Sequence, residues 1–277
     1  MNRPTPQPPE HADRVWHTRI TEPGVLNLLG LDWAAAEVLK RTDHTAVLRL
    51  NDTPIGPIIA KIAPSRRAVR EHWGPLRRQA RNADKLHRRV PSILPESAIP
   101  LAGVRGVREG ITLDTLFMHA LPGRTLLDHL AERRADDLAP IVGRGVGRIV
   151  RAGLFNRDHK PSNLIVAPDR RSLAVIDTVA IRPTPFPARS VERMFASLII
   201  EPTGVCGPPA SEWLDTAAVA ALRELHRPDR PAAPGHEEDL FEEPPSDAEL
   251  EDAHQVLARV DRRIARHLLK HDPRPRH

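Results

Sequence analysis

Apolar residues recur at two periods along this chain, and the changes of period mark out its elements. Alternation dominates residues 36–63. Thr45–Ala46–Val47–Leu48–Arg49–Leu50 predicts a strand. Asn51–Asp52–Thr53–Pro54 predicts a turn. Pro57–Ile58–Ile59–Ala60–Lys61–Ile62–Ala63 predicts a second, more apolar strand that carries one lysine. Helical spacing then takes over: Pro75 suits the first turn of a helix, and Leu76, Ala80, Ala83 and Leu86 follow at three- and four-residue steps. Thr112–Met118 predicts another strand, Leu121–Pro122–Gly123 breaks it, and Thr125–Leu130 starts a helix. Across residues 137–152, Leu138, Ile141, Val142, Val146, Ile149 and Val150 share one helix face. Two short apolar runs, Leu164–Val166 and Leu173–Ile176, are separated by the turn Pro168–Arg171. Residues 189–200 are helical again. Ser246–Asp247–Ala248–Glu249 forms a capping-box pattern that opens a last helix through Leu250, Ala253, Leu257, Val260 and Ile264.

Composition adds boundaries and removes some function classes. The 277 residues suffice for one large domain or two lobes. The 29 prolines gather at residues 3–9, 183–187, 228–234 and 244–245. Residues 1–22 therefore read as a disordered leader, and 227–246 as a Pro- and acid-rich linker. Net charge is +5, and most of the 41 basic residues are arginine. With aromatics at 3%, a basic stripe interleaved with stacking rings is missing, which argues against a nucleic-acid partner. The run Arg66, Arg67, Arg70, Arg77, Arg78, Arg81, Arg88, Arg89 reads as a solvated helix face, with contact to an anionic glycolipid or membrane surface as the other reading. The single cysteine, Cys206, leaves no internal disulfide framework and no cysteine-rich zinc site. The amino terminus lacks the apolar core of a signal peptide, and no stretch reaches the ~20 apolar residues of a membrane span. The expected location is cytoplasmic, with the inner face of the membrane as a peripheral site.

The strongest chemical signal is Arg157–Asp158–His159–Lys160–Pro161–Ser162–Asn163. Its logic is phosphoryl transfer. Asp158 is placed to accept the proton of an attacking hydroxyl, and Lys160 to neutralise charge on the moving phosphate. Asn163 offers a carbonyl oxygen to Mg²⁺, a hard cation that prefers oxygen. Asp177, 19 residues after Asp158 at the end of an apolar run, supplies a second metal contact. Each residue alone has a plainer reading, as a turn, a cap or a solvated strand lysine; their joint order carries the signal.

In these residues the chain resembles the protein-kinase-like superfamily across about two thirds of its length. The run at 157–163 resembles a catalytic loop, and Lys61 in Ile59–Ala60–Lys61–Ile62 resembles the strand lysine that holds ATP phosphates. More narrowly, the chain is similar to the lipopolysaccharide core (Kdo/heptose) kinases. Leu39–Leu50 resembles their first hairpin, Leu121–Pro122–Gly123–Arg124–Thr125–Leu126 their post-hinge segment, and Arg189–Leu198 the helix after their metal aspartate. The resemblance implies an α+β, two-lobed fold: a β-rich N-lobe at 23–117, a hinge at 118–123 and a mainly helical C-lobe at 124–271. It implies ATP and Mg²⁺ as cofactors and a hydroxyl acceptor on a glycolipid. Asp158 and Lys160 would be catalytic, Lys61 and Gln79 would serve the nucleotide, and Asn163 and Asp177 would bind metal.

The departures are specific. Asn156 stands where the superfamily has histidine, and Asp177–Thr178–Val179 replaces Asp-Phe-Gly. No glycine-rich loop precedes Lys61. The partner of Lys61, a helix glutamate in the superfamily, falls at Gln79; Glu71 is the nearby acid, ahead of the Gly74–Pro75 break. Two alternatives follow: a Ser/Thr protein kinase, against which the short stretch after Asp177 argues, and a pseudokinase acting as a nucleotide-binding or interaction module.

Overall fold

In a computed structural model, the residues described are 7–42, 45–65, 74–227 and 244–271. They fall into two units. The first is drawn from Met1–Pro122 together with Asp177–Val179, and the second from Gly123–Ile176 and Ala180–His277. The fold class is α+β, with the sheet concentrated in the first unit and the helices in the second.

The first unit is built on six strands: β1 (Arg14–Thr18), β2 (Glu37–Arg41), β3 (Ala46–Leu50), β4 (Ile58–Pro64), β5 (Ala102–Arg108) and β6 (Ile111–His119). They form one antiparallel sheet in the order β1-β5-β6-β4-β3-β2. The period-2 pattern sends Ala46, Leu48, Ile58, Ala60, Ile62, Val104 and Phe117 into one core with helix α1 (Glu22–Leu29) and Trp33. The Trp33 indole N–H donates to the Leu28 carbonyl at 2.9 Å, so its ring is buried without an orphaned donor. The opposite face carries Leu116 and Met118. It packs Leu76 and Ala80 of helix α2 (Pro75–Arg89), with Trp16, Ile59 and Ala63 alongside.

The leader expected through residue 22 is corrected here. Arg14–Thr18 pairs with β5, and α1 begins at Glu22. Two local facts secure β1. Gly103 on β5 has no side chain, and a Cβ there would come closer than 3.0 Å to the Trp16 ring atoms, so the indole lies directly on the neighbouring strand. Arg77, expected on a solvated face, is instead buried with its guanidinium 5.2 Å from the Trp16 ring. Arg81, Arg88 and Arg89 are exposed, and Arg66, Arg67 and Arg70 lie outside the described residues.

The second unit contains β7 (Arg124–Thr125), α3 (Leu126–Ala131), α4 (Ala139–Arg151), β8 (Leu154–Asn156), β9 (Leu164–Val166), β10 (Leu173–Val175), β11 (Ile181–Pro183), α5 (Pro187–Thr203), α6 (Ser211–His226) and α7 (Asp247–His271). The short strands form two small sheets, β10-β9-β7 and β11-β8. Helix α4 buries the apolar face read from its sequence. It crosses α6 at very close range because Gly143 and Gly147 lie against the backbone of Ala217 and Ala221. Glu224 of α6 is fully buried at the last turn of α4, with Arg151 Nη2 at 2.8 Å and Arg148 Nε at 3.5 Å. At the start of α7, Ser246 N donates to Glu249 Oε2 (2.9 Å) and Glu249 N donates to Ser246 Oγ (3.3 Å), forming the capping box. Among the described residues no helix is long and apolar enough to cross a membrane.

Candidate active site

In the first unit, strand alternation decides where Lys61 points. Ile58, Ala60 and Ile62 face the core, so Ile59, Lys61 and Ala63 face α2. Gln79 follows Leu76 by three residues on the buried stripe of that helix and is only 3% exposed. The Lys61 ammonium donates to Gln79 Oε1 at 3.1 Å and lies 3.8 Å from Asp177 Oδ2. Burial is the main influence on Lys61 and lowers its pKa below the ordinary lysine value; the Asp177 carboxylate pulls it back up, and Lys40 adds a further lowering. Gln79 contributes a hydrogen bond and no charge, so the negative charge beside Lys61 is that of Asp177. Glu71 lies outside the described residues.

The segment Asp177–Val179 is fastened to α2 by polar contacts. Thr178 Oγ1 donates to the Gln79 backbone carbonyl at 2.7 Å, in a buried position. Asn82 Nδ2 donates to the carbonyls of Thr178 (2.7 Å) and Val179 (3.3 Å). Val179 N donates to Asp177 Oδ1 at 3.2 Å. Gln79 thus holds Lys61 with its side chain and Thr178 with its main chain. Asn82 and Thr178 were not singled out from the sequence. The signal was available in the i, i+3 spacing of Gln79 and Asn82, two amides on one helix face.

In the second unit, the run at 157–163 leaves β8, turns, and passes through a 3-10 turn at Pro161–Asn163 into β9. Asn156 is buried, and its Oδ1 accepts from the backbone N–H of Asp158 at 3.1 Å. Asn163 Nδ2 donates to the Asp158 main-chain carbonyl (3.1 Å) and to Asp158 Oδ2 (3.2 Å). Lys160 Nζ is 3.8 Å from the same carboxylate oxygen. The Asp158 side chain is 48% exposed, and its contacts to Asn163 and Lys160 both fall on Oδ2. With Nδ2 of Asn163 directed at Asp158, its side-chain oxygen Oδ1 has no hydrogen-bond partner among the described residues, while its main-chain carbonyl accepts from Ile176 N at 3.0 Å. The turn is anchored from α5: Glu201 accepts from Ser162 N (2.8 Å) and Ser162 Oγ (2.6 Å). Glu201 also went unread in the sequence, where an acid within an apolar helix segment has no distinguishing spacing.

His159 sits fully buried inside this loop with no hydrogen-bond partner at either ring nitrogen among the described residues. Desolvation pushes its pKa from 6.5 down to about 3. Between those values the unfolded chain binds a proton that the folded chain refuses. Stability is therefore unaffected by this group above pH 6.5 and falls on acidification by about 1.4 kcal/mol per pH unit. Urea denaturation of wild type and His159→Leu should show the variant losing about 2 kcal/mol less between pH 6.5 and 5. Parallel pH profiles would contradict a buried neutral imidazole.

No family model and no curated protein matches the chain. Among solved structures it is similar to WbdD. One WbdD crystal structure shares 16% identity over 82% of this chain and 50% of that one, with a TM-score of 0.45. A second, described as the bifunctional kinase-methyltransferase WbdD, shares 14% identity over 92% of this chain and 51% of that one, also at 0.45. A WbdD complex with a kinase inhibitor shares 20% identity over 57% and 35%, at 0.37. The chain spans about half the length of the first two structures. Likeness at this level carries no information on chemistry, which rests on the chain's own residues.

Proposed function

We propose that this protein is an ATP- and Mg²⁺-dependent phosphotransferase that moves the γ-phosphate to a hydroxyl. The observation that carries the reading is the Asp158–Asn163 pair, in which an amide orients a half-exposed carboxylate and keeps its own side-chain oxygen available. Asp158 takes the proton of the attacking hydroxyl, and Lys160 offsets charge on the transferring group. Lys61, oriented by Gln79, binds nucleotide phosphate. Mg²⁺ favours a sparse set of oxygen ligands completed by water and phosphate. The Asn163 side-chain oxygen and the Asp177 carboxylate fit that preference, and no group of three or more His, Cys, Asp or Glu side chains converges among the described residues. Bound Mg·ATP would supply the phosphoryl donor and neutralise charge on its oxygens.

For the acceptor we favour a sugar hydroxyl of a lipopolysaccharide-type glycolipid, on the resemblance in the first hairpin, the post-hinge segment and the helix following Asp177. Incubation with γ-labelled ATP, Mg²⁺ and either a glycolipid extract or casein tests this. Label in the glycolipid fraction is the expected result; label confined to casein would support a protein kinase instead. A second reading, a nucleotide-binding module with little turnover, is favoured by one observation: Lys61 has an uncharged partner on α2. Replacing Gln79 by glutamate should raise nucleotide affinity severalfold if charge is what the pair lacks.

Lys61→Met separates function from stability. The methionine retains the apolar stem, and relief from burying an ammonium offsets the lost contacts to Gln79 and Asp177, so stability should stay within about 2 kcal/mol of wild type. Nucleotide-induced thermal stabilisation should disappear. A variant that binds ATP like wild type would remove Lys61 from the site.

A further inference from the structure

A cavity of about 470 Å³ in the second unit is lined by six arginines and one glutamate. Arg189 and Arg193 come from α5; Arg259, Arg262, Arg263 and Arg266 come from α7. The α7 residues recur at i, i+3, i+4 and i+7, and the α5 pair at i and i+4, so two packed helices turn like charge toward the same space. Elsewhere guanidinium groups meet carboxylates singly, as in Arg105–Asp114, Arg124–Glu132 and Arg223–Glu249, or gather on the fully buried Glu224, which Arg148 and Arg151 share. Here one carboxylate is shared: Glu192 Oε1 lies 3.1 Å from Arg259 Nε, and its Oε2 lies 3.5 Å from Arg263 Nη2. Arg263 Nε is buried without a hydrogen-bond partner among the described residues. Arg189 and Arg193 lie over the Phe186 and Phe155 rings, which fixes their planes. Arg262 and Arg266 have no acidic partner among the described residues.

Such convergence is self-repulsive unless an anion occupies it. Guanidinium forks match phosphate oxygens in bidentate geometry, and a surplus of five positive charges calls for more than one phosphate. The volume falls within the roughly 300–1,000 Å³ of small-molecule sites. A half-open recess of this size between two helices suits a compact phosphorylated group and not a nucleic-acid backbone, which needs an extended basic track. We propose that this arginine cavity binds a ligand carrying two or more clustered phosphates, either free in solution or presented on a lipid. The site is independent of the phosphotransfer reading.

Calorimetric titration of the full chain with inorganic pyrophosphate and with inositol hexakisphosphate tests it, alongside flotation with phosphatidylcholine vesicles with and without cardiolipin. Arg262→Glu and Arg266→Glu, both exposed and remote from any core contact, should each weaken the soluble probes about tenfold. Arg88→Glu, a charge reversal on α2, should leave them unchanged. Cardiolipin flotation that pyrophosphate competes away assigns the ligand to a lipid headgroup. Pyrophosphate binding without flotation assigns it to a soluble phosphate ester. No binding by wild type, or equal weakening by Arg88→Glu and Arg262→Glu, overturns the proposal.

Discussion

Gly143→Leu is expected to destabilise the second unit by about 3 kcal/mol or more, and Gly143→Ala by a smaller amount of the same sign. Intrinsic helix propensity points the other way, since alanine in place of glycine gains about 1 kcal/mol in a helix interior. Packing wins because a Cβ at residue 143 would strike the Ala217 carbonyl oxygen and come within 2.9 Å of the Ala220 methyl. The struck atom is main chain in another helix and cannot rotate aside. Relief requires α4 and α6 to separate, and that separation would pull Arg148 and Arg151 from the buried Glu224 carboxylate. An uncompensated buried charge is among the costliest defects a fold can carry. Chemical denaturation reads the loss directly; a Gly143→Leu protein as stable as wild type would mean that the helices do not cross at this position.

Asp158→Asn should lower phosphoryl transfer by about 10²–10⁴-fold, the range for loss of a positioned general base. Stability should stay within about 0.5 kcal/mol, because the side chain is half exposed and asparagine still offers an oxygen to Asn163 Nδ2. Nucleotide binding should persist, since Lys61 and Asp177 are untouched. That combination distinguishes a chemical role from a structural one: a residue that merely held the turn would reduce stability and turnover together. Ser162→Ala supplies the contrast. It removes one of two contacts to Glu201, and its effect should appear first in loop stability.

The legible parts of this protein are those where local pattern and tertiary environment agree. Strands β3 and β4 alternate cleanly because one face meets a core, β6 reads as a nearly continuous apolar run because both of its faces are buried, and the apolar stripe read over 137–152 becomes helix α4 because its residues are buried against α6, α5 and the small strands. Lys61 was readable as a lysine between apolar neighbours, and Gln79 as the residue on the right helix face. What went unread has physical reasons. In β5, Ala102–Gly103–Val104–Arg105–Gly106–Val107–Arg108, two glycines serve close approaches that only the folded chain reveals, so the alternation is diluted. Strand β1 is short and polar, and its place comes from pairing and from the Trp16 ring. Helix α6 buries mainly alanines, whose pattern is faint although their smallness is what lets α4 approach. Thr178, Asn82 and Glu201 act through main-chain carbonyls and amides, and such contacts leave no residue-type signature at fixed spacing. The arginines of α5 and α7 lie some seventy residues apart in the chain, and only the packing of the two helices brings them to one cavity.

Single-turnover transfer of labelled γ-phosphate, with wild type and Asp158→Asn compared at equal nucleotide occupancy and matched folded fractions, tests the central claim most directly. The account predicts Mg²⁺-dependent appearance of label in a hydroxyl acceptor with wild type, slowed by at least about a hundredfold in the variant. Equal rates in the two proteins, or bound ATP that neither protein consumes, would contradict it.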